Sequence, residues 1–389
     1  MRLRLFLLSF ILPCFAYAQQ SSNVGTYKFA SLKLHSGKHF YTGETLGDKL
    51  KHGYSSIEVR TGWQSQGKHD WERELGFPSY GIGWYSGYVG DVDIFGNPNA
   101  LFGFITFPFW ERPRHNLQVE PALGVTYNLK PYNPKHNVMN DAIGAKFAVY
   151  FSMHVGGRYK LNREMDVLYG VDLTHFSNGR SVTPNMGLNM MGFSAGMRYN
   201  FNAEQRKVDN SLYPATILPA RPSLPKRSRP RAIKEDNISL YLALGTAQNK
   251  DDAGTNSRYL TTSLVGEYQH KFNTKHGISI GFDAFNDPSA TDTMEHKQNI
   301  AAQETFFPAA HVGYDFMFWR LAVKFQVGYN LTSLGRELKG NMFIRPAVRY
   351  EINKRLFTQI GLKTFNGATA DWIEAGVGYK IFYSRRAKS

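Results

Sequence analysis

The chain has 389 residues, with 46 lysines and arginines against 31 acidic residues for a formal net charge of +15, 14% aromatic residues, 36 glycines and a single cysteine. The length allows two or three domains. The one thiol, Cys14, sits near the N-terminus and excludes a disulfide framework for the remainder, while no later run reaches the roughly 18 apolar residues that a helical membrane span needs.

Residues 1–18 have the layout of a secretory signal peptide. Arg2 and Arg4 carry the charge, residues 5–15 form a short apolar core, and Ala16-Tyr17-Ala18 is a small-residue cleavage site before Gln19. Pro13 ahead of Cys14 argues against a lipoprotein. Export makes nucleic acid a poor partner for the basic chain. Lipopolysaccharide phosphates are the better anionic partner, beside the plainer reading of a solvated basic surface.

Segments 27–36, 53–63, 80–90, 99–109, 117–129, 144–160, 164–177 and 188–201 alternate apolar or aromatic residues with small or polar ones, the period of a strand. In 188–201, Asn189, Met191, Phe193, Ala195, Met197, Tyr199 and Phe201 share one face. Met190, Gly192, Ser194, Gly196, Arg198 and Asn200 share the other. Mean hydropathy is therefore only −0.39, as expected when each strand shows one face to lipid and one to a lumen. A secreted β-sandwich alternates in the same way, but aromatic residues crowd the strand ends as the girdles of a membrane barrel do. The expected class is all-β: an antiparallel transmembrane β-barrel of the Gram-negative outer membrane.

Residues 203–236 break the rhythm. Pro214, Pro219, Pro222, Pro225 and Pro230 are interleaved with Lys226, Arg227, Arg229 and Arg231, the composition of an extended linker. Alternation resumes at 237–246, 258–270, 276–286, 306–316, 319–331, 341–351, 355–365 and 371–383. The two halves share landmarks in the same order. Phe109-Trp110 matches Phe318-Trp319, Tyr127-Asn128-Leu129 matches Tyr329-Asn330-Leu331, and Arg158-Tyr159-Lys160-Leu161-Asn162 matches Arg349-Tyr350-Glu351-Ile352-Asn353. This is an internal repeat. Because duplication can enlarge one closed sheet, the first expectation is a single barrel of about 14–16 strands. The alternative is two tandem eight-stranded barrels, favoured by the long linker because periplasmic turns within one barrel are short.

The chemistry concentrates in 164–177. His175 and Ser177 lie on the same face as Val167, Tyr169, Val171 and Leu173, so an imidazole and a hydroxyl project from an apolar face. With eight strands beginning and ending in the periplasm, this strand runs outward and its end reaches the outer leaflet. Histidine is the usual base for a serine nucleophile, and a third group normally orients the imidazole. Asn189, on the next strand, is placed to do so, and Asp141 is a loop carboxylate to compare with it. Asn178 and Gly179 supply amides for an oxyanion, and Arg180 a cation for a phosphate or sugar. The plainer alternatives are a turn dipeptide at 178–179, a polar strand end, and a solvated arginine. No other nucleophile, metal cluster or phosphate loop stands out. The second half ends its equivalent strand Gly361-Leu362-Lys363-Thr364-Phe365-Asn366-Gly367, with neither histidine nor serine.

His175-Phe176-Ser177-Asn178-Gly179, with Pro184-Asn185-Met186-Gly187-Leu188-Asn189, resembles the signature of the PagL-type lipid A deacylases, or acyloxyacyl hydrolases. The resemblance covers about residues 25–201. It implies an eight-stranded outer-membrane barrel with a His-x-Ser motif at the outer end of the seventh strand, which removes an ester-linked acyl chain from lipid A without a cofactor. It further implies Ser177 as nucleophile, His175 as base and Asn178 as oxyanion donor. The family's acidic third member falls on Asn189. The expected division is then 1–18 signal peptide, 19–202 PagL-like barrel half, 203–236 linker and 237–389 a degenerate repeat. The rival function is a non-catalytic barrel, either porin-like or structural.

Overall fold

The computed structural model describes residues 26–40, 43, 45–162, 164–201, 228–290, 305–366 and 369–387. The expected signal peptide and most of the expected linker lie outside the described residues. Sixteen antiparallel strands form two closed barrels. The first comprises β1 (Thr26–His39), β2 (Tyr54–Ser65), β3 (Ser79–Tyr88), β4 (Gly96–Glu111), β5 (His115–Leu129), β6 (Ala148–Lys160), β7 (Met165–Ser177) and β8 (Leu188–Asn200). The second comprises β9 (Ala232–Ala247), β10 (Tyr259–Asn273), β11 (His276–Asn286), β12 (Phe306–Phe318), β13 (Leu321–Asn330), β14 (Met342–Glu351), β15 (Leu356–Phe365) and β16 (Thr369–Ala387).

The expectation of one barrel of about 14–16 strands is therefore corrected in favour of the tandem alternative. β8 pairs back onto β1, with Leu32 opposite Met197, and β16 pairs back onto β9, with Leu242 opposite Val377. The matched landmarks explain why. Arg158-Tyr159-Lys160 ends β6 and Arg349-Tyr350-Glu351 ends β14, eight strands apart, so each copy carries its own first and last strand. Closing each copy on itself removes both pairs of edges. Two smaller boundaries also change. Residues 232–236, expected in the linker, begin β9, where Ile233 and Glu235 point inward and Glu235 meets Lys271 at 2.6 Å. Residues 144–147, expected in a strand, belong to the loop before β6.

Eight strands enclose an interior just wide enough for side chains, and both lumens are filled by paired charges. In the first, Lys33 meets Glu120 at 2.5 Å, Arg60 meets Glu58 at 2.6 Å, and Asp172 accepts from Tyr54 and contacts His35. An aromatic layer of Tyr85, Phe102, Tyr150 and Phe176 closes the lumen toward one end. In the second, Lys324 meets Asp315 at 2.7 Å, Arg345 meets Asp283 at 2.8 Å and Arg349 meets Glu267 at 3.0 Å. Charges so buried are tolerable because each is paired. Outward residues are the apolar set, among them Leu242, Leu244, Ile280, Phe282 and Phe193, which is the lipid face of a membrane barrel.

Connections at one end are tight, such as 112–114, 274–275 and 319–320, while those at the other include 130–147, 178–187, 248–258 and 331–341. Short turns mark the periplasmic end and long loops the outer one. The barrels stand side by side. Near the inner end Phe107 of β4 packs edge-on against Phe316 and Phe318 of β12, and Thr274 donates to Glu74 at 2.7 Å.

Candidate active site

The site forms where β7 reaches the outer rim. Inward residues Asp166, Leu168, Asp172, Thr174 and Phe176 alternate with outward Tyr169, Val171, Leu173 and His175, so the two-residue period places His175 and Ser177 on the lipid-facing side. Register sets their neighbours. His175 lies opposite Asn189 of β8 and Phe151 of β6, and Ser177 lies opposite Val149. His175 Nδ1 is 2.6 Å from Asn189 Oδ1. With Asn189 accepting, the ring proton sits on Nδ1 and Nε2 is left with a free lone pair.

Ser177 is on the outward face yet only 6% exposed, because the loop 178–187 folds over it. Its Oγ accepts two hydrogen bonds, from Asn185 Nδ2 at 2.8 Å and from the Gly179 N–H at 3.2 Å. Asn185 works in both directions, since its Oδ1 accepts the Asn178 N–H at 3.1 Å. The Asn178 side chain donates to the Val182 carbonyl at 3.0 Å. No hydrogen bond joins His175 to Ser177 among the described residues. Both side chains leave the same strand face two residues apart, and with two donors on its lone pairs the serine hydroxyl has its own proton left to give.

Two glycines are needed for this shape. Gly179 has φ of +62°, and a Cβ there would lie 2.5 Å from Ile373 Cγ1 of the second barrel. Gly187 has φ of +76°, and a Cβ would come within 3.0 Å of His175 Cε1. The φ > 0 region is open to glycine without penalty.

Arg180 departs from its expected place toward a phosphate or sugar. Its guanidinium turns away from Ser177 and enters the outer rim of the second barrel, bonding Asp371 at 2.7 Å, Ser289 at 3.1 Å and Asp287 at 3.2 Å. With Nη2 shared between two buried carboxylates and Nε donating to the Asp371 carbonyl at 3.1 Å, this cation is committed. Asp141 touches the loop through its backbone, its carbonyl accepting the Met186 N–H at 3.1 Å, and the Ala142 carbonyl accepts Gly187 N–H. The group beside the imidazole is Asn189. Asn185 was not singled out from the sequence. It lies inside the run 184–189, but its reach back to Ser177 depends on the loop's course, which no periodicity reports.

Below the site, the outward pairs Leu173–Met191 and Val171–Phe193 form an apolar ladder down the barrel wall. The arrangement unites a serine hydroxyl under two N–H donors, an imidazole hydrogen-bonded to Asn189 and an apolar track on the outward face.

Two family models match the chain. Residues 55–198 match lipid A 3-O-deacylase (PagL), and residues 236–384 match the acyloxyacyl hydrolase C-terminal domain. No curated protein matches. Among solved structures the chain is similar to the toluene transporter TodX of Pseudomonas putida, at 9% identity over 95% of this chain and 92% of that one with a TM-score of 0.17. It is similar to Omp33 of Acinetobacter baumannii at 7% identity, 91% and 97% coverage and a TM-score of 0.17. It is similar also to OccK3 of Pseudomonas aeruginosa at 7% identity, 92% and 96% coverage and a TM-score of 0.21. With one model on the first barrel and its C-terminal companion on the second, the chain belongs to the PagL lipid A deacylase family, outer-membrane β-barrel hydrolases of the ester-linked acyl chains of lipid A.

Proposed function

We propose that Ser177 is the nucleophile and His175 the base of this hydrolysis, that the first barrel carries it, and that the ester cleaved is the 3-O ester named for the matched model. The observation that carries the reading is the convergence of Asn185 Nδ2 and Gly179 N–H on Ser177 Oγ at the outward rim of β7, beside an imidazole held by Asn189.

Ser177 Oγ attacks the ester carbonyl carbon and its proton passes to His175 Nε2. The carbonyl oxygen becomes an oxyanion within reach of the donors already aimed at Oγ, where preorganised donors act most strongly. The carbon–oxygen bond to the sugar breaks, and the sugar oxygen takes the proton from His175. Water, deprotonated by His175, then releases the fatty acid and restores the serine hydroxyl. Asn189 fixes the tautomer at both stages without the charge of a carboxylate. The acyl chain lies along Leu173, Met191 and Val171, keeping its methylenes at the depth they occupy in the leaflet. Residues 1–18 deliver the chain as a signal peptide.

Both lumens are packed with buried side chains, Lys33, Lys324 and Arg345 among them, which speaks against a porin-like channel. The test is mass spectrometry of lipid A from cells producing the wild type or Ser177→Ala. Loss of one ester-linked acyl chain with the wild type alone is expected. An unchanged acyl pattern with both, in a host whose lipid A carries the 3-O ester, overturns the reading.

A further inference from the structure

The second barrel lacks the His-Ser pair, yet it holds the loop that covers Ser177. Loop 178–187 has few anchors of its own to the first barrel, chiefly the Met186 and Gly187 N–H groups on the 141–142 carbonyls. Its other half is tied across the barrel boundary. Gln248, at the outer end of β9 and fully buried, donates its N–H to the Arg180 carbonyl at 2.9 Å. Gln248 Oε1 accepts from the Thr183 N–H at 2.7 Å and from Thr183 Oγ1 at 3.1 Å. The Arg180 guanidinium enters the pair Asp287 and Asp371, and Ile373 packs against Gly179.

These anchors bracket the serine contacts. Gly179 precedes Arg180, and Asn185 follows Thr183 by two residues, so the two donors on Ser177 Oγ hang from points fixed by the other barrel. The platform that fixes them is itself rigid. Gln248 Nε2 donates to the carbonyls of Asp252 and Ser257 at 3.1 and 2.9 Å. Asp371 is held by Lys339 and Lys363, both at 2.9 Å, and Lys339 also pairs with Asp287. Two carboxylates with two lysines are charge-balanced before Arg180 arrives. The platform therefore does not need Arg180, whereas the loop does.

We infer that the second barrel acts as a positioning subunit for the active site, with Gln248, Asp287 and Asp371 holding loop 178–187 so that Gly179 N–H and Asn185 stay aimed at Ser177 Oγ. The inference rests on the proposed role of Ser177. Arg180 and Thr183 are positioning residues, acting through the loop and touching no substrate. Displacing catalytic donors by about 1 Å can cost 10²-fold in rate, and the cost falls on kcat when the lost interaction is made in the transition state.

The test uses the full-length protein, folded fraction read from heat-modifiable gel mobility, and deacylation kinetics on purified lipid A in detergent per folded molecule. Arg180→Ala, Thr183→Val and Gln248→Ala are each compared with Ser177→Ala, and Thr183→Ser, which keeps the hydroxyl toward Gln248 Oε1, serves as the rescue. Arg180→Ala and Gln248→Ala are expected to lower kcat about 10- to 100-fold with KM changed less than twofold, Thr183→Val somewhat less, and Thr183→Ser to keep most of the wild-type kcat. Wild-type kcat in folded Arg180→Ala and Thr183→Val overturns the inference, as does a loss carried wholly by KM. Activity persisting in Ser177→Ala overturns instead the assignment of the nucleophile, so the two failures are distinguishable.

Discussion

The two barrels have the same strand number, closure and style of lumen, and they differ at the outer end of their seventh strands. β7 ends His175-Phe176-Ser177 and opens into the ten residues 178–187 that fold over the serine. β15 ends Lys363-Thr364-Phe365 and returns into β16 across residues 366–368. The inward positions do comparable work in both. Phe176 joins the aromatic layer of the first lumen, and Lys363 sits 4.4 Å over the Trp372 ring and bonds Asp371 in the second. The outward positions have no such duty. A closed barrel needs its inward side chains to fill the lumen, whereas the outward rim is free to carry chemistry in one copy and none in the other. That separates what holds β7 in place from what it does.

The largest expected contrast comes from that outward rim. Ser177→Ala should lower deacylation by about 10⁴-fold or more while leaving the heat-modifiable mobility of the protein unchanged, since nucleophile loss in a catalytic serine site is of that order or greater. A folded variant with more than a few per cent of wild-type rate would erase the distinction between the barrels. At the rim of the second barrel the same logic predicts a stability effect. Asp371→Asn leaves Lys339 and Lys363 short of a buried partner, and such a loss costs about 3–5 kcal/mol. A lowered thermal midpoint for the gel-mobility transition checks it. Asn185→Ala removes a donor from Ser177 Oγ and should reduce kcat about 10²-fold or slightly more, the scale of an oxyanion-type donor. Kinetics on lipid A read it directly, and an unchanged kcat would mean that Gly179 N–H suffices. The smallest effect belongs to the ladder. Met191→Ala shortens the apolar track and should raise KM a few-fold with little change in kcat, as expected for ground-state contacts of a few methylenes.

Much of the architecture is legible in the sequence because a barrel strand reports its two faces in a period of two. All sixteen alternating segments overlap a strand, and the phase of 164–177 already puts His175 and Ser177 on the apolar side with Asn189 opposite. Closure is less legible. Alternation says which face a residue takes and nothing of which strand it neighbours, so the choice between one barrel and two rests on the landmarks that recur eight strands apart. The start of β9 hides for a related reason: Lys234-Glu235-Asp236 looks like loop until Glu235 is seen paired with Lys271 inside the lumen. Loop 178–187 is the least legible part. Asn185 reaches Ser177, and Arg180 leaves it for Asp371, through a backbone course set by contacts with a second barrel 65 to 191 residues further along the chain.

The proposed assignment of the reacting centre is to Ser177 on the outward rim of β7, rather than to another described hydroxyl of either barrel. It is tested most directly by incubating the folded full-length protein with a long-chain alkyl fluorophosphonate, which phosphonylates an activated serine, and locating the adduct by peptide mass spectrometry. A single adduct on Ser177, absent in Ser177→Ala and strongly slowed in His175→Ala, is the predicted result. No adduct, or one on a serine of the second barrel, would contradict it.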